Sequence, residues 1–433
     1  MKKRLLLSLF ALLPFVAAAQ QSATDTLKLT LQDCLYMVSS NNYNRQSVVL
    51  GESSTQESYN QSKMERLPNL TASVGETYTY SEASGSDWSG NYSVNTGVTL
   101  YQGGYINNTI EKNRLAAEQS AYVTAQYDNN LTIQVLQSFL TVLGNEELLR
   151  YQQAVVKASE EQVKQGKSRY EAGEILHSDY LLLEAQYAND LNSIMETGIS
   201  RDNSLNALKS LMSMDMSQPV EIVYPDDSAL ALMGIMPSED DVVSRSLETM
   251  PDLRISDYDV EIAERGVKIS RSAYAPTITM NASAGSGHIN DFSNYGNQLS
   301  NKFSTQAGVS LSIPIFNRNR TKSNVTQSKI ALQQAELERK QTELDIKQTL
   351  IQEYRNVVLA ENQYRTAETR RDAYNASFET YRLMFEQGAI TAVELLQQQN
   401  NYISAMNDYI QSKYGFMLKR KVLDVYMGEP ITM

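Results

Sequence analysis

Four short stretches of the chain alternate apolar and polar residues with period two, and the long stretches between them carry helical spacing. Phe303, Thr305, Ala307, Val309, Leu311 and Ile313 take one side of a strand; Ser304, Gln306, Gly308, Ser310 and Ser312 take the other. Tyr92, Val94, Thr96, Val98 and Leu100 likewise oppose Asn91, Ser93, Asn95, Gly97 and Thr99. Ile278, Met280, Ala282 and Ala284 oppose Thr277, Thr279, Asn281 and Ser283. Leu70, Ala72, Val74, Tyr78 and Tyr80 form a fourth apolar side, interrupted by Glu76. The alternation predicts strands over about 70–80, 91–101, 277–286 and 303–313. One continuous apolar side on segments of about ten residues is the pattern of a membrane β-barrel wall. A soluble sandwich would bury the same sides in a core, and four such strands are few for one. The connections, Ser81 to Asn91 and Ser286 to Lys302, read as polar loops carrying Trp88, Phe292 and Tyr295.

Residues of about 105–169 and 318–385 contain no proline and predict helices of roughly 100 Å each. The flanking helical stretches, about 30–66, 176–212, 238–273 and 391–427, come to roughly 55 Å each. Two short helices stacked end to end therefore match one long one. The apolar stripes are thin and alanine-rich: Ala331, Leu332, Ala335 and Leu337, then Leu344, Ile346, Leu350 and Ile351. Such helices bury narrow seams, as coiled coils do, rather than enclosing a thick core.

The chain is a duplication. Leu67-Pro68-Asn69-Leu70-Thr71 returns as Ala275-Pro276-Thr277-Ile278-Thr279, 208 residues later. At the same offset Thr30 and Asp33 match Ser238 and Asp241, both suited to a helix start, and Asn42-Tyr43 matches Met250-Pro251. Further on the offset is 215 residues: Arg169-Tyr170-Glu171-Ala172-Gly173 aligns with Met384-Phe385-Glu386-Gln387-Gly388, and Asp179 with Glu394. Two repeats follow, 20–237 and 238–433.

Residues 1–19 read as an export signal: Lys2-Lys3-Arg4, an apolar run from Leu5 to Val16, and Ala17-Ala18-Ala19 as the cleavage site. Its removal would take the formal charge from −12 to about −15. An acidic chain lacks the basic footprint that nucleic acid demands. A single cysteine, Cys34, excludes an internal disulfide or thiolate cluster, and two distant histidines, His177 and His288, argue against a metal or catalytic centre. Met212-Ser-Met214-Asp-Met216 reads as an apolar helix end rather than a soft-metal site. No nucleophile, phosphate loop or acid–base pair emerges, so the reading is of a non-enzyme with no cofactor or metal.

Four strands leave open edges, which lipid does not tolerate. Two copies would supply eight strands and three would supply twelve, and the larger barrel is the one that leaves an aqueous lumen. With the duplicated halves, the Leu67-Pro68 and Ala275-Pro276 corners, and the Tyr170-x-x-Gly173 and Phe385-x-x-Gly388 turns, the chain resembles the TolC family of outer-membrane efflux proteins. The segments after the turns, Asp179-Tyr-Leu-Leu-Leu-Glu-Ala-Gln186 and Glu394-Leu-Leu-Gln-Gln-Gln399, share in that resemblance. It implies a mainly α fold with membrane β: a homotrimer whose twelve-stranded outer-membrane β-barrel continues into a twelve-helix periplasmic α-barrel. It further implies a passive exit duct for efflux or type I secretion, docked to a periplasmic adaptor and an inner-membrane pump. The competing reading is a structural coiled-coil protein without a pore.

The resemblance also assigns sites. Glu394 would form a ring of carboxylates at the narrow end, a cation-attracting aperture. The family's second aperture acid is Gln397 here, which halves that charge. Asp179 stands where the family has a locking acid, but the tyrosine and arginine partners align with Phe385 and Ile390; Arg169 and Arg382 are the nearby cations. The turns Gly173-Glu174-Ile175-Leu176 and Gly388-Ala389-Ile390-Thr391 would form the adaptor-docking tip, with Ile175, Leu176 and Ile390 exposed.

Overall fold

The computed structural model describes residues 26–83, 85–224, 236–289 and 294–431. The signal-peptide reading over 1–19, Phe292, and part of the segment joining the repeats lie outside the described residues. The elements run β1 (Leu27–Leu29), α1 (Leu31–Asn41), α2 (Tyr43–Met64), β2 (Asn69–Ser81), β3 (Gly85–Gln102), α3 (Tyr105–Glu171), α4 (His177–Leu211) and β4 (Val220–Ile222) in the first repeat. The second holds α5 (Glu239–Thr249), α6 (Pro251–Ser272), β5 (Thr277–Ile289), α7 (Tyr295–Asn301), β6 (Ser304–Ser312), α8 (Arg320–Glu386) and α9 (Ala392–Tyr426).

Strands β2, β3, β5 and β6 form one antiparallel sheet in that order. Register places Leu70, Thr96, Ala282 and Ala307 in one row and Val98, Met280 and Val309 in another, so the apolar sides share one face. That face is open: Val74 is 76% exposed, and Leu70, Val309 and Leu311 are similar. The opposite face carries Asn69, Thr71, Asn95, Thr99 and Asn281, which with Gln61 and Gln102 line a cavity of about 740 Å³. Between Thr99 and Tyr101 the pairing with β5 shifts by one residue, so Leu100 is the extra residue of a β-bulge and Tyr101 pairs with Ile278. The strand thus resets its phase at the rim, where strict alternation through Leu100 had been anticipated.

Two further differences from the sequence reading concern the connections. β3 begins at Gly85 and pairs directly back on Ser81, so the stretch to Asn91 is strand rather than loop. β5 extends to Ile289, and α7 follows it against the apolar face, with the Ser286 hydroxyl bonded to the Leu299 carbonyl. Glu76, the polar intrusion on that face, accepts hydrogen bonds from the Tyr92 hydroxyl and lies 3.0 Å from Nε2 of the fully enclosed His288. Tyr92 in turn receives the Tyr295 hydroxyl at 2.9 Å. Gly90 is required there, because a β-carbon would stand 2.4 Å from His288 Nε2.

Helices α3 and α8 are 67 residues each, roughly 100 Å long. Along α3 run α2 toward the sheet and α4 away from it; along α8 run α6 and α9 in the same arrangement. The predicted single helix over 30–66 is divided at Asn42. Its side chain caps α2 by accepting from Arg45 N–H at 2.9 Å, while its Nδ2 donates to the Leu211 carbonyl at the end of α4 at 2.8 Å. One asparagine therefore splices two short helices end to end. The second repeat makes the same joint differently: Pro251 opens α6, and the Thr249 hydroxyl donates to the Tyr426 carbonyl of α9 at 3.1 Å.

Around these joints sits the largest apolar core, built on Cys34, Val135, Phe139, Leu143, Leu208 and Met212. Parallel pairing of β1 with β4, absent from the sequence reading, closes it. Thr30 caps α1 through Asp33, and Ser238 caps α5 through Asp241. Elsewhere the helical stripe is only half covered. Ile346 and Leu350 are buried, whereas Leu337 and Leu344 face outward.

Candidate functional site

The far ends of the long helices carry the residues singled out above. Each long helix ends in the same device. Gly173 and Gly388 hold φ of 78° and 73°, the left-handed region in which a side chain is strained. Gly173 N–H donates to the Tyr170 carbonyl at 2.9 Å and Glu174 N–H to that of Arg169 at 2.8 Å. Gly388 N–H donates to the Phe385 carbonyl at 3.0 Å and Ala389 N–H to that of Met384 at 2.9 Å. These paired bonds are the Schellman ending of a helix, reached from a glycine at the same place in both repeats.

The returning helices start unequally. Thr391 and Glu394 make a capping box: Glu394 Oε2 accepts from the Thr391 N–H at 2.9 Å and hydroxyl at 3.0 Å, and Glu394 N–H reaches back to the hydroxyl at 3.4 Å. The Thr391 N–H, and then its hydroxyl, hold the Glu394 carboxyl below the usual carboxylate range. The first repeat has Leu176 at this cap, which offers no side-chain oxygen. Asp179 is the residue equivalent to Glu394, and it forms no ion pair among the described residues; Gln397 is exposed.

The two turns are brought together by Arg169. Its Nη1 donates to the Phe385 carbonyl at 2.9 Å, its Nε to Glu174 Oε2 at 3.2 Å, and the guanidinium carbon lies 5.1 Å from the Phe385 ring centre. Arg382 stays within its own helix, bonded to Glu379 and Glu386. Beneath the turns, Leu183, Phe385, Ala392, Leu395 and Leu396 form a buried cluster on which Ile390 packs. Of the three apolar residues anticipated as exposed, Leu176 is 70% exposed, whereas Ile175 and Ile390 are half-buried. Ile390 is drawn inward because the cluster offers it apolar surface.

The sequence reading passed over an aromatic stack at the first turn. Tyr170 and His177 lie 4.8 Å apart, centre to centre, and Tyr170 is parallel to Tyr180 at 5.9 Å. The Tyr180 hydroxyl bonds Glu184, which raises the tyrosine above its ordinary range. A hairpin sets residues at similar distances from its turn side by side, so Tyr170 and His177, three before and four after Gly173, were a legible signal. In the second repeat the equivalent of Tyr170 is Phe385, which is buried. Among the described residues no group of acids, histidines or cysteines is arranged to hold a metal ion, and no helix is long and apolar enough to cross a membrane.

Comparison with known proteins agrees with this geometry. Residues 35–213 and 242–429 match the family described as outer membrane efflux protein, one match per repeat. The probable efflux pump outer membrane protein TtgC of Pseudomonas putida is 27% identical over 221 residues, 50% of this chain and 40% of that one. The alkaline protease secretion protein AprF of Pseudomonas aeruginosa is 20% identical over 301 residues, 69% of this chain and 61% of its own. The chain thus spans about half the length of the curated relatives it matches. In fold, the open state of the MtrE outer membrane channel of Neisseria gonorrhoeae superposes with a TM-score of 0.76 at 18% identity, covering 92% of this chain and 89% of that one.

Proposed function

We propose, from the premise that this chain belongs to the outer membrane efflux protein family, that three copies form an outer-membrane exit duct. The observation that carries the proposal is the two-faced sheet joined to long helices. One sheet face is apolar and open, as lipid requires, and residues of the other, polar face line a cavity. Within one chain β2 and β6 are edge strands, so the sheet closes only with neighbours. Three four-stranded sheets give a twelve-stranded barrel. The uncovered stripe at Leu337 and Leu344 gives neighbouring helices a seam to pack on. Continuous helices of roughly 100 Å would carry the lumen through the periplasm.

A duct of this kind supplies no energy. An adaptor and an inner-membrane pump deliver the cargo, and the two Schellman turns, with Gly173 to Leu176 and Gly388 to Thr391, are the surfaces for the adaptor. The names of TtgC and AprF, an efflux and a secretion protein, support both kinds of cargo system. Glu394, repeated by the threefold axis, would concentrate cations at the narrow end, with Asp179 adding charge from the equivalent position of the first repeat and neutral Gln397 moderating the field.

Single-channel recording of the detergent-extracted oligomer in a planar bilayer tests this reading. A trimer by mass that forms a cation-preferring pore, with millimolar divalent block weakened by Glu394→Gln, is the expected result. A monodisperse monomer in detergent that never conducts would sink it.

A further inference from the structure

Where β6 hands over to α8, the chain leaves the sheet with apolar side chains still uncovered. Ser312 pairs with Thr277, which also pairs with Gln102, so the ladder ends there across three strands. The apolar period of Val309 and Leu311 runs on beyond it through Ile313 and Ile315. Ile313 is 59% exposed, Ile315 95% and the adjoining Phe316 82%. Arg318, Arg320 and Lys322 follow, all exposed, and among the described residues their side chains make no ion pair or hydrogen bond. From 292 to 335 the sequence holds five cations, Lys302 and Lys329 being the others, and no aspartate or glutamate, in a chain of net charge −12. The equivalent stretch of the first repeat, 77–120, sets Glu82, Asp87, Glu111 and Glu118 against Lys112 and Arg114.

Folding does not require these cations. The first repeat turns the same corner on Gly103 and Gly104, at φ of 59° and 82°, and the second on Arg318 and Asn319, at 54° and 61°. Gly104 and Asn319 both stand at the start of the long helix, so the backbone path is shared and only the side chains differ. An arginine is strained in that left-handed region, where glycine is not. Arg320 and Lys322 lie in the first turn of α8, which has no acid and where the helix dipole disfavours positive charge.

We infer that this corner is an anchor for anionic phospholipid of the periplasmic leaflet. Ile313, Ile315 and Phe316 enter the edge of the acyl layer, and Arg318, Arg320 and Lys322 hold headgroup phosphates. The inference rests on the duct reading, which turns the apolar sheet face to lipid and the helix-bearing rim to the periplasm. Along the chain the order is apolar row, then cations, which is the order of acyl chain and phosphate in a leaflet. Arginine and lysine suit that boundary, because their stems lie on apolar surface while the charged heads stay in the polar layer. A neighbouring chain that closes the barrel pairs with the backbone edge of β6 in the plane of the sheet, so it leaves the outward row free.

The test is native mass spectrometry of the detergent-extracted oligomer, titrated with dioleoylphosphatidylglycerol or with dioleoylphosphatidylcholine, which has the same acyl chains. Wild type should prefer phosphatidylglycerol. A cation near an anionic membrane surface contributes about fivefold in affinity, so the triple variant Arg318→Gly, Arg320→Gln, Lys322→Gln should lose on the order of a hundredfold for that lipid. Arg318→Gly alone installs the residue of the first repeat; it should lose about fivefold and melt no lower than wild type. Ile315→Ser with Phe316→Ser should weaken both lipids by the same factor. Equal affinity of wild type for the two lipids, or an undiminished preference in the triple variant, overturns the anchor. Breakdown of the triple variant to monomers also overturns it, because a second copy of the chain would then be what the cations hold. The same preparations are recorded in planar bilayers. Selective lipid binding by an oligomer that is not a trimer or does not conduct leaves the anchor standing and rejects the duct reading.

Discussion

Leu183 fills the space that a side chain on Gly166 would need: its Cδ1 lies 2.5 Å from where a β-carbon at 166 would stand. Both residues are buried, one on α3 and the other on α4, so the pair sets how closely these antiparallel helices approach just above the first turn. Gly166→Ala gains about 1 kcal/mol of helix propensity and meets an overpacking cost of about 1–3 kcal/mol. Gly166→Val lacks most of that gain and adds bulk. The expected melting order is therefore wild type close to Ala, with Val clearly lower. Equal melting of Val and wild type would show that Leu183 can move aside.

Asp190 is a buried carboxylate, 6% exposed, with Gln186 donating to Oδ1 at 2.8 Å and no ion pair among the described residues. Burial raises its pKa from 3.8, with the Ser159 hydroxyl and the Gln186 amide pulling the other way. Because the folded value lies above the unfolded one, folding favours the protonated acid. That contribution is complete below the unfolded value and is lost as pH rises through the folded value. At neutral pH the ionised group is then a net cost. Asp190→Asn should raise thermal stability at neutral pH by about 1–3 kcal/mol, and the difference should vanish near pH ~4. A variant less stable at both pH values would show that the charge is needed.

Cys34 is fully buried in the core at the helix joints, and burial, with Asp33 nearby, pushes its thiol up to about 12. The thiolate is the reactive form, so the folded protein should resist iodoacetamide at mildly alkaline pH. Labelling should then track denaturant-induced unfolding of this core. Stoichiometric labelling of native protein within minutes would contradict the assignment.

The capping box gives Glu394 a local task besides any role at an aperture. Thr391→Val removes the hydroxyl and leaves only the main-chain donor, so exchange of the first α9 amides should accelerate about fivefold. Since Glu394 sits below its ordinary value, the stabilisation is present above the unfolded value of 4.5 and fades as pH falls through the folded one. The protection factors of these amides, corrected for the intrinsic pH dependence of exchange, should therefore fall on acidification in wild type and change less in Thr391→Val. Identical pH profiles would separate the glutamate from the cap.

Much of the fold was legible because its signals are local. Period-two alternation marked the strands, absence of proline marked the long helices, and the Thr30–Asp33 and Ser238–Asp241 pairs marked helix starts that the structure capped as read. The division at Asn42 was less visible, because an asparagine within a polar helical run declares a break only when its side chain finds a partner. That partner, the Leu211 carbonyl, lies 169 residues away. Glu76 looked like a flaw in an apolar face for the same reason, since His288 and Tyr92 come from two other strands. At the turns the glycines could be read directly, whereas the Thr391–Glu394 capping box emerged only in the structure and the fate of Ile390 depended on the cluster beneath it.

By itself, then, the sequence determined the period of the strands, the length of the two long helices, the duplication and the glycine at each turn, since each depends on backbone conformation within a few residues. The tertiary structure alone decided which residues of the two repeats meet: that Asn42 joins α2 to α4, that β1 pairs with β4, and that Arg169 rather than Arg382 crosses to the other turn. Helix phase set over 67 residues, together with the packing of two such helices, selects which cation faces inward. No local pattern encodes a contact that exists only once both arms have been laid side by side.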